Sequence, residues 1–508
     1  MQQLSGQDAM FLYAERPNSP MHIGPVMIYD PSTAPNGFVR FKDILRTFEQ
    51  RLHRSSVFTR KLLNVPLGLD HPYWVEDEDF DLEFHVRHIA LPKPGDWRQL
   101  CIQVARLHAR PLDRSRPLWE AYVIEGLDNI PNLPPGCFAM FLKIHHAAID
   151  GATGNEIISA LHEFSPVTTI AGTQAKSAPK DHSDRPSDFE LFSRVAGNLI
   201  KSPLELTRLT GKALPQWMRV QKVKKEQRYA ALGKTLKTRF NGAVTAHRVF
   251  TGVVLPLDEV KAVKKAIDGV TLNDVMLTVV SGAMRSYLSD KGELPDQSLV
   301  TGAPVNVRTD EEVGSGGNVV SMMVISLCTQ IEDPVERLRC VNKEAVGSKA
   351  YLKAMGARTL TDWSNHIPAR IASLGFRAAA ATGLTTAEPF ANTIVTNVPG
   401  PREPLYFSGA TLVHSFGAGP CYDGMGIFHV VSSYADQITL SVQACREMMP
   451  DPAFYEECLK TSWASLRDAV LNGTPTRPKR APKKKTMERK KSVARPSAAR
   501  KKSPRTST

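Results

Sequence analysis

The clearest structural signal in the chain is the stretch Cys137-Phe-Ala-Met-Phe-Leu-Lys-Ile-His145-His-Ala-Ala-Ile-Asp150-Gly151. Residues 137–144 are mostly apolar and aromatic, which predicts a strand. Two histidines stand where this strand stops, and Gly151 permits a tight turn of the backbone. Apolar residues at helical spacing follow, from Ile157 to Phe164. The stretch therefore predicts a strand, a turn and a helix, with a pair of imidazoles presented at the end of the strand.

The histidine pair, His145 and His146, carries side chains suited to acid–base chemistry. A neutral imidazole is a good general base near pH 7, because its unperturbed pKa is about 6.5. Asp150 lies four residues after His146, where it could orient the ring or could hold the loop through an arginine. Adjacent histidines alone are a weak signal, since such pairs also occur in cores and on surfaces. Consecutive side chains usually diverge, so the pair predicts no metal site.

The charge of the chain is concentrated at its end. The 508 residues contain 64 Lys and Arg against 51 Asp and Glu, a formal net charge of +13. Residues 475–508 hold 14 of the basic residues and one acid, Glu488, so this tail alone carries +13 and the other residues sum to zero. A uniformly basic, nucleic-acid-binding body is excluded.

The cysteines and the apolar stretches indicate in which cellular compartment the protein is expected. The seven cysteines are odd in number and scattered without a Cys-x-x-Cys pair, which argues against a disulfide framework or zinc cluster and favours a reducing compartment. The first residues lack a basic segment followed by an apolar core, so no signal peptide is predicted. Apolar stretches such as Val319–Cys328 are far shorter than the ~20 residues a membrane span needs. We therefore expect a soluble or peripheral protein of the cytoplasm.

Strand and helix patterns alternate along the chain and predict the α/β class, divided into four parts. Residues 1–165 form a first domain with the histidine pair, 166–239 a linker with basic amphipathic helices, 240–474 a second domain, and 475–508 a disordered tail. The predicted strands are Met21–Tyr29, Cys137–Ile144, Arg248–Leu255, Asn318–Thr329, Asn392–Asn397 and Ile427–Tyr434, and the predicted helices are Phe38–Arg51, Trp97–Arg110, Leu257–Ile267, Leu272–Leu288 and Pro452–Leu471.

Two basic segments suggest contact with an anionic surface. Residues 194–239 contain 12 Lys and Arg and two acids among apolar residues at near-helical spacing, which is typical of a helix on a membrane surface. An ordinary helix with a solvated basic face is the alternative. The tail is either a solvating segment or an attachment to anionic lipid or granule surfaces. Nonspecific contact of the tail with nucleic acid is a further, less favoured alternative.

The complete pattern His-His-x-x-x-Asp-Gly at 145–151 resembles the signature of the coenzyme A-dependent acyltransferase superfamily, which includes chloramphenicol acetyltransferase-like enzymes and peptide synthetase condensation domains. Within it, the chain most resembles the bacterial wax ester synthase/diacylglycerol acyltransferase family over roughly residues 4–470. Further matching segments are Leu4-Ser-Gly-Gln-Asp8-Ala-Met-Phe-Leu, Pro20-Met-His-Ile-Gly24, Phe80-Asp-Leu-Glu-Phe-His85, Arg116-Pro-Leu-Trp119-Glu, Thr271-Leu-Asn273-Asp274-Val, Pro304-Val-Asn-Val-Arg308, Gly317-Asn318, Thr396-Asn-Val-Pro-Gly-Pro401, Asp423-Gly-Met-Gly426 and Arg446-Glu-Met-Met-Pro-Asp451.

The resemblance implies two chloramphenicol acetyltransferase-like domains with an active-site channel between them. It implies transfer of a fatty acyl group from acyl-CoA to a long-chain alcohol or diacylglycerol, making wax esters, triacylglycerols or both. Acyl-CoA is then a substrate, and neither a resident cofactor nor a metal is required. The expected location is the cytoplasm, peripherally at the inner membrane or at lipid inclusions.

The resemblance also implies a role for each motif residue. His146 is the expected general base, worth ~10²–10⁴-fold in rate, and His145 supports the loop or the ring orientation. Asp150, next to Gly151, is expected to pair with Arg308 and fix the motif. Asn273 is the expected oxyanion donor, with capping of the helix that follows it as the alternative role.

Two rival functions remain open from the sequence. A noncatalytic lipid-granule or membrane coat protein could retain this scaffold, which the basic segments favour and the complete histidine motif opposes. The enzyme could instead acylate a different hydroxyl or aminoacyl acceptor, although the chain shows no carrier-protein partner. Acceptor preference, acyl chain length, oligomeric state and the role of the tail are not predicted.

Overall fold

The computed structural model describes residues 1–149, 151–166, 235–306, 320–355 and 367–473, with the backbone alone at 151–155, 306, 320 and 355. Asp150, Arg308, most of the basic segment 194–239 and the tail 475–508 lie outside the described residues. Within the described ranges, no helix is long and apolar enough to cross a membrane.

Strands and helices alternate through both halves of the chain, as the α/β class requires. The strands are β1 (Gln2–Gln3), β2 (His22–Asp30), β3 (Arg60–Leu63), β4 (Tyr73–Glu76), β5 (Val86–Ala90), β6 (Trp119–Glu125), β7 (Phe138–His145), β8 (Arg248–Pro256), β9 (Val300–Asn306), β10 (Val320–Ser326), β11 (Thr393–Pro399), β12 (Tyr406–Phe407), β13 (Ala410–Ala418), β14 (Ile427–Tyr434) and β15 (Gln437–Cys445). The helices are α1 (Gly6–Ala14), α2 (Phe41–Arg51), α3 (Leu82–His85), α4 (Trp97–His108), α5 (Gly151–Leu161), α6 (Leu257–Ala266), α7 (Leu272–Asp290), α8 (Pro334–Met355), α9 (Ala369–Ala381), α10 (Leu384–Ala387) and α11 (Pro452–Leu471).

The N-terminal sheet is mixed and places the histidine strand at its centre. Its six strands run in the order β12-β13-β2-β7-β6-β5, with β5 and β6 parallel and the other pairs antiparallel. Every residue of β7 is buried, because apolar clusters cover both faces of the sheet. The register pairs His22 on β2 directly with His145 on β7. The histidine motif thus begins where a central, doubly covered strand ends.

The C-terminal sheet has six strands in the order β10-β9-β11-β14-β15-β8, with β11 parallel to both of its neighbours. Helix α7 is almost entirely buried against it, and α11 packs along α7. Thr271 and Asp274 close a capping box at the start of α7, with the Thr271 hydroxyl accepting from the Asp274 N–H at 3.2 Å. These elements enclose the largest apolar core of the molecule.

Two strands from the second half of the chain complete the first sheet. β13 pairs antiparallel with β2, and β12 pairs with β13 at the sheet edge. The predicted domain division at residue 240 therefore does not separate the two sheets, because residues 406–418 belong to the N-terminal one. The pairing of β13 with β2 joins the two halves of the chain through backbone hydrogen bonds.

Side chains also join the halves. The Trp97 indole N–H of α4 donates to the Glu456 carboxylate of α11 at 3.1 Å. The Arg248 guanidinium donates to the carbonyls of Asn18 at 2.7 Å and Cys421 at 3.2 Å. On the histidine strand, Phe141 belongs to the same apolar cluster as Phe250 and Phe416 of the second half.

The cysteines depart from the expectation drawn from their spacing. Cys328 and Cys340 form a disulfide with a Cα–Cα distance of 6.2 Å, because the end of β10 and helix α8 bring the two residues together. The other five cysteines have buried, free thiols. The expectation of no disulfide framework therefore needs correcting for this one pair.

Candidate active site

The histidine motif forms a short turn held by its backbone at two points. His146, Ala147 and Ala148 make a single 3-10 turn after β7. The His145 N–H donates to the carbonyl of Leu118 at 3.0 Å, and the His146 N–H donates to the carbonyl of Met21 at 2.8 Å. Both acceptors lie just before a neighbouring strand, so the sheet itself fixes the position of the turn.

His145 is fully buried and its ring nitrogens face different groups. Its Nδ1 accepts a hydrogen bond from the Ala147 N–H at 3.0 Å, which caps the turn and places the ring proton on Nε2. Nε2 lies 3.4 Å from a carboxylate oxygen of Glu15. Burial lowers the pKa of His145, so the ring stays neutral near pH 7. His145 is therefore engaged in holding the turn.

His146 has different surroundings. Its side chain is half-buried, and its ring stacks on Phe11 of α1 with centroids 4.0 Å apart and planes 7° from parallel. Phe11 packs on one face of the imidazole and fixes the plane of the ring. Helix α1 is held in turn by its cap, where the Ser5 hydroxyl accepts from the Asp8 N–H at 3.0 Å.

Glu15, one residue past the end of α1, binds both buried imidazoles of this region. Its two carboxylate oxygens lie 3.4 Å from Nε2 of His22 and 3.4 Å from Nε2 of His145. The Arg114 Nε donates to the same carboxylate at 2.9 Å. Burial on its own would raise the pKa of Glu15, but the neighbouring His145 and His22 rings and the Arg114 guanidinium outweigh it and hold the pKa well below its usual range. Glu15 is thus an anion beneath the histidine turn.

The buried network continues into the C-terminal sheet. The Nε2 of His108 donates to the carbonyl of His22 at 2.9 Å, and its Nδ1 lies 2.7 Å from the side-chain amide of Gln443 on β15. Because Nε2 faces a carbonyl and must donate, Nδ1 accepts from Gln443. Burial lowers the pKa of His22 to about 4 and that of His108 well below its usual value. We call Gln443, His108, His22, Glu15 and His145 the imidazole network.

The Pro117-Leu118-Trp119 segment supports the histidine turn through the Leu118 carbonyl. The Trp119 indole is fully buried and donates to the carbonyl of Phe58 at 3.0 Å. The His85 ring stacks on it with centroids 4.6 Å apart, and its Nδ1 lies 2.7 Å from the Trp119 carbonyl. This packing fixes the Leu118 carbonyl that accepts from His145.

The structure describes some of the remaining predicted site residues and not others. Gly151 begins α5, whereas Asp150 and Arg308 lie outside the described residues. Asn273 is the second residue of α7 and is half-buried. The alternative interpretation of Asn273 as the helix cap is wrong, because Thr271 makes that cap. Within the described ranges, no hydrogen bond joins Asn273 to either histidine.

The residues that contact the histidine turn were not predicted from the sequence. Phe11, His22 and Trp119 occur in segments that carry the family resemblance, but no role was assigned to them. Glu15 and Arg114 lie outside those segments. An available signal was the acid at position 15, which follows directly after a mostly apolar helix pattern.

An α/β fold with two mixed six-stranded sheets and a histidine turn at the end of a central strand defines the class of His-His-x-x-x-Asp-Gly acyltransferases. Comparison with known proteins gives the particular family. Residues 4–276 match the wax ester synthase/diacylglycerol acyltransferase catalytic domain, and residues 316–467 match the C-terminal domain of the same family. The chain belongs to the wax ester synthase/diacylglycerol acyltransferase family.

Relatives and solved structures agree. A Mycobacterium tuberculosis protein named as a diacylglycerol O-acyltransferase is 34% identical over 470 residues, 92% of this chain and 100% of the relative. The O-acyltransferase WSD of Acinetobacter baylyi is 31% identical over 463 residues, covering 89% of this chain and 93% of the relative. The wax ester synthase/diacylglycerol acyltransferase of Marinobacter aquaeolei VT8 has a TM-score of 0.65 and 25% identity, covering 92% of this chain and 100% of that chain.

The fold is shared more widely. The first condensation domain of the calcium-dependent antibiotic synthetase superposes with a TM-score of 0.54 at 12% identity, covering 92% of this chain and 96% of that chain. At this identity the likeness concerns the fold alone. It agrees with the expected architecture of two chloramphenicol acetyltransferase-like domains.

Proposed function

We propose that this protein is an acyl-CoA-dependent O-acyltransferase that esterifies a long-chain alcohol or a diacylglycerol, making wax esters, triacylglycerols or both. Membership of the family and the names of the relatives support the reaction class. Acyl-CoA enters as a substrate, and the proposal requires neither a resident cofactor nor a metal. In this reaction the alcohol oxygen attacks the thioester carbon, coenzyme A leaves as the thiol, and the ester remains.

The different surroundings of the two histidines carry the proposal. His145 is fully buried and uses Nδ1 to cap the turn, whereas His146 is half-buried and its ring stacks on Phe11. An alcohol is a poor nucleophile until a base takes its proton, so the base must be reachable by substrate. His146 meets this requirement and His145 does not. We assign the base to His146 and a positioning role to His145.

Asn273 remains our choice for the donor to the oxyanion of the tetrahedral intermediate. Because Thr271 caps α7, the Asn273 amide is not needed to start the helix. We further propose that Asp150 pairs with Arg308 to hold the loop, as the superfamily pattern implies.

Direct transfer is favoured over a covalent acyl-enzyme. Cys137 comes just before the histidine strand, but its side chain is 3% exposed and burial raises the pKa of its thiol to about 11. A thiol that stays protonated at neutral pH is a weak nucleophile. Cys137 therefore serves as a packed core residue.

We also propose that the protein works peripherally, on the cytoplasmic side of a membrane or at the surface of lipid inclusions. Diacylglycerol and long-chain alcohols partition into lipid, so the enzyme must reach them there. The +13 tail and the basic segment 194–239 would be attracted to anionic headgroups.

The test measures release of free coenzyme A from palmitoyl-CoA with hexadecanol or dipalmitoylglycerol. We expect His146→Ala to lose ~10²–10⁴-fold in rate while its thermal unfolding stays close to that of the parent protein. His88→Ala is the matched control, because His88 also stacks on a phenylalanine, Phe41, with centroids 4.8 Å apart, but on the exposed surface. Near-parental turnover by His146→Ala would show that the base is misassigned.

The same assay separates the rival functions. A noncatalytic coat protein would release no coenzyme A above background with any acceptor. An enzyme for another acceptor would remain inactive with both lipids and become active with a different hydroxyl or amine. Activity with hexadecanol or dipalmitoylglycerol overturns the first rival and gives the acceptor preference directly.

A further inference from the structure

Helix α9 presents its apolar side outward. Ala369 and Ala372, the two buried residues of the helix, are 3% and 8% exposed, whereas Ile371 and Leu374 are each 63% exposed. At 100° per residue, Ile371, Leu374, Gly375 and Ala378 share one side of the helix, and all four are exposed. A helix on an aqueous surface normally directs that side to the core. We call these four residues the α9 face.

The α9 face continues onto a loop of the N-terminal half. Leu67 is 74% exposed. Leu67 and Leu374 together line a cavity of about 410 Å³ that lies between this loop and the helix. Two separate parts of the chain thus place large, exposed apolar side chains beside one another. A contiguous patch of this kind indicates an interaction surface, whereas single exposed leucines are normal.

The charge next to the α9 face is basic. Arg370 and Arg377 are seven residues apart, on the same flank of the helix, and both line the cavity. Residues 367–387 contain these two arginines and no acid. The cavity has one carboxylate, Asp70, which accepts a hydrogen bond from the His71 N–H at 2.8 Å. An apolar face bordered by arginines matches the acyl region and phosphate headgroups of an anionic bilayer.

The α9 face is also close to the proposed catalytic base. Helix α9 packs on α1, and Tyr13 of α1 lines the same cavity. The opposite contact of α1 is with the histidine turn, where Phe11 stacks on His146. One helix therefore separates the α9 face from the histidine that acts on the lipid acceptor.

We propose that the α9 face, with Leu67, inserts into the headgroup region of an anionic phospholipid bilayer, while Arg370 and Arg377 are attracted to the net negative charge of its headgroups. The acceptor then passes from the bilayer to His146 beside α1. This inference rests on the proposed function for its acceptor, but the binding of a bilayer can be measured without turnover.

The first test is co-sedimentation of the full chain with vesicles of phosphatidylcholine and phosphatidylglycerol that contain diolein. At about 1 M salt, where the Debye length is only ~3 Å, the basic tail contributes little. We expect the double substitution Ile371→Ser and Leu374→Ser to weaken binding roughly tenfold or more, because it removes two inserted side chains. The matched control is Phe38→Ser with Val346→Ser, which removes side chains 60% and 61% exposed elsewhere and should leave binding unchanged.

A second substitution examines the arginines. At moderate salt, Arg370→Gln with Arg377→Gln should weaken binding to anionic vesicles severalfold and leave binding to pure phosphatidylcholine vesicles unchanged. Equal loss on both vesicle types would contradict the attraction of the arginines to net negative headgroups.

Turnover provides a third readout. The serine variant should lose activity with diolein in vesicles and keep it with hexadecanol in detergent micelles. Unchanged vesicle binding by the serine variant would overturn the inference. A shift from dimer to monomer with unchanged vesicle binding would also overturn it, since the face would then join two copies of the chain. Absence of coenzyme A release by the parent protein with either acceptor would instead overturn the proposed function, while the binding result would stand.

Discussion

His145 and His146 are adjacent in sequence, yet the end of β7 directs their side chains into different surroundings. Side chains alternate between the faces of a strand, so His145, the last strand residue, points into the buried sheet face. His146 begins the 3-10 turn and lies half-buried against α1. A motif of two identical residues thus yields one buried ring that holds the turn and one half-buried ring that stacks on α1.

At Glu15, we predict that Glu15→Gln lowers both stability and turnover. The amide has one acceptor oxygen, whereas the carboxylate accepts from the Met21 N–H with one oxygen and from the Arg114 Nε with the other. One of these donors is left facing the amide NH2 group without an acceptor, which typically costs about 1–3 kcal/mol. Urea unfolding measures this loss. Turnover should fall less than in His146→Ala, because the base itself remains.

The control for Glu15→Gln is Glu76→Gln, which removes a carboxylate that is paired with Arg60 but 55% exposed. Surface ion pairs contribute only ~0–1 kcal/mol, so stability and turnover should both stay near those of the parent protein. If the two variants behaved alike, Glu15 would have no special part in holding the histidine turn.

The sequence could identify the histidines but not their support. His145, His146 and Gly151 form a local pattern that predicts a strand end and a turn, and the structure confirms both. Glu15 reaches His145 from a position 130 residues earlier, and the pairing of β2 with β7 creates that contact. No spacing along the chain reports such a contact, because it depends on the order of strands in the sheet.

Among the helices, α7 permits a test that separates chemistry from helix capping. Thr271, not Asn273, caps α7, so Asn273→Ala should leave the free energy of unfolding nearly unchanged. If Asn273 donates to the oxyanion, the same change should cost ~2.7–4 kcal/mol of transition-state stabilisation, which is seen in kcat. Steady-state rates and urea unfolding on the same preparation measure the two effects.

Thr271→Ala is the matched variant on the same helix. Losing the cap should cost about 0.5–2 kcal/mol of stability, with a much smaller effect on kcat. Equal effects of Asn273→Ala and Thr271→Ala on both quantities would show that Asn273 acts only through the helix.

Some elements were predicted to the residue from their apolar patterns, and others were missed. The predictions for β14 (Ile427–Tyr434) and α11 (Pro452–Leu471) are confirmed to the residue, because each carries a strong apolar pattern between turn or cap signals. The strand β13 (Ala410–Ala418) was missed. A register shift between Leu412 and His414 interrupts its alternation, and it lies in the other half of the chain from the sheet it joins.

For the whole molecule, buried histidines predict a loss of stability in mild acid. Burial lowers the pKa of His22 and His162 to about 4 and that of His429 to about 3, against about 6.5 in the unfolded chain. Between these values the unfolded state binds protons that the folded state does not, so stability falls as pH decreases below about 6.5. Each histidine contributes about 1.4 kcal/mol per pH unit. Urea unfolding between about pH 7.5 and about pH 5.5 measures the slope.

Replacing one of these groups tests the assignment. His429 lies between the Thr393 hydroxyl at 2.8 Å and the Tyr455 hydroxyl at 2.7 Å, far from the histidine turn. His429→Gln removes one titrating group, so the stability lost between about pH 7.5 and about pH 5.5 should be smaller by about 1.4 kcal/mol in total. An unchanged slope would mean that His429 is protonated in the folded protein at these pH values.

The distribution of charge over the whole chain gives a prediction for membrane attachment. Residues 475–508 carry the entire net charge of +13, and the remainder sums to zero. Basic residues near an anionic surface contribute about 1 kcal/mol each at low salt, whereas the apolar α9 face is insensitive to screening. Deleting 475–508 should therefore weaken binding to phosphatidylglycerol vesicles at least roughly tenfold at low ionic strength, and leave binding at about 1 M salt unchanged. Replacing Lys483, Lys484 and Lys485 with Glu in the full-length chain should produce part of the same loss. If the deleted and full chains bound equally at low salt, the tail would have no part in attachment, and the α9 face and the basic segment 194–239 would have to account for it.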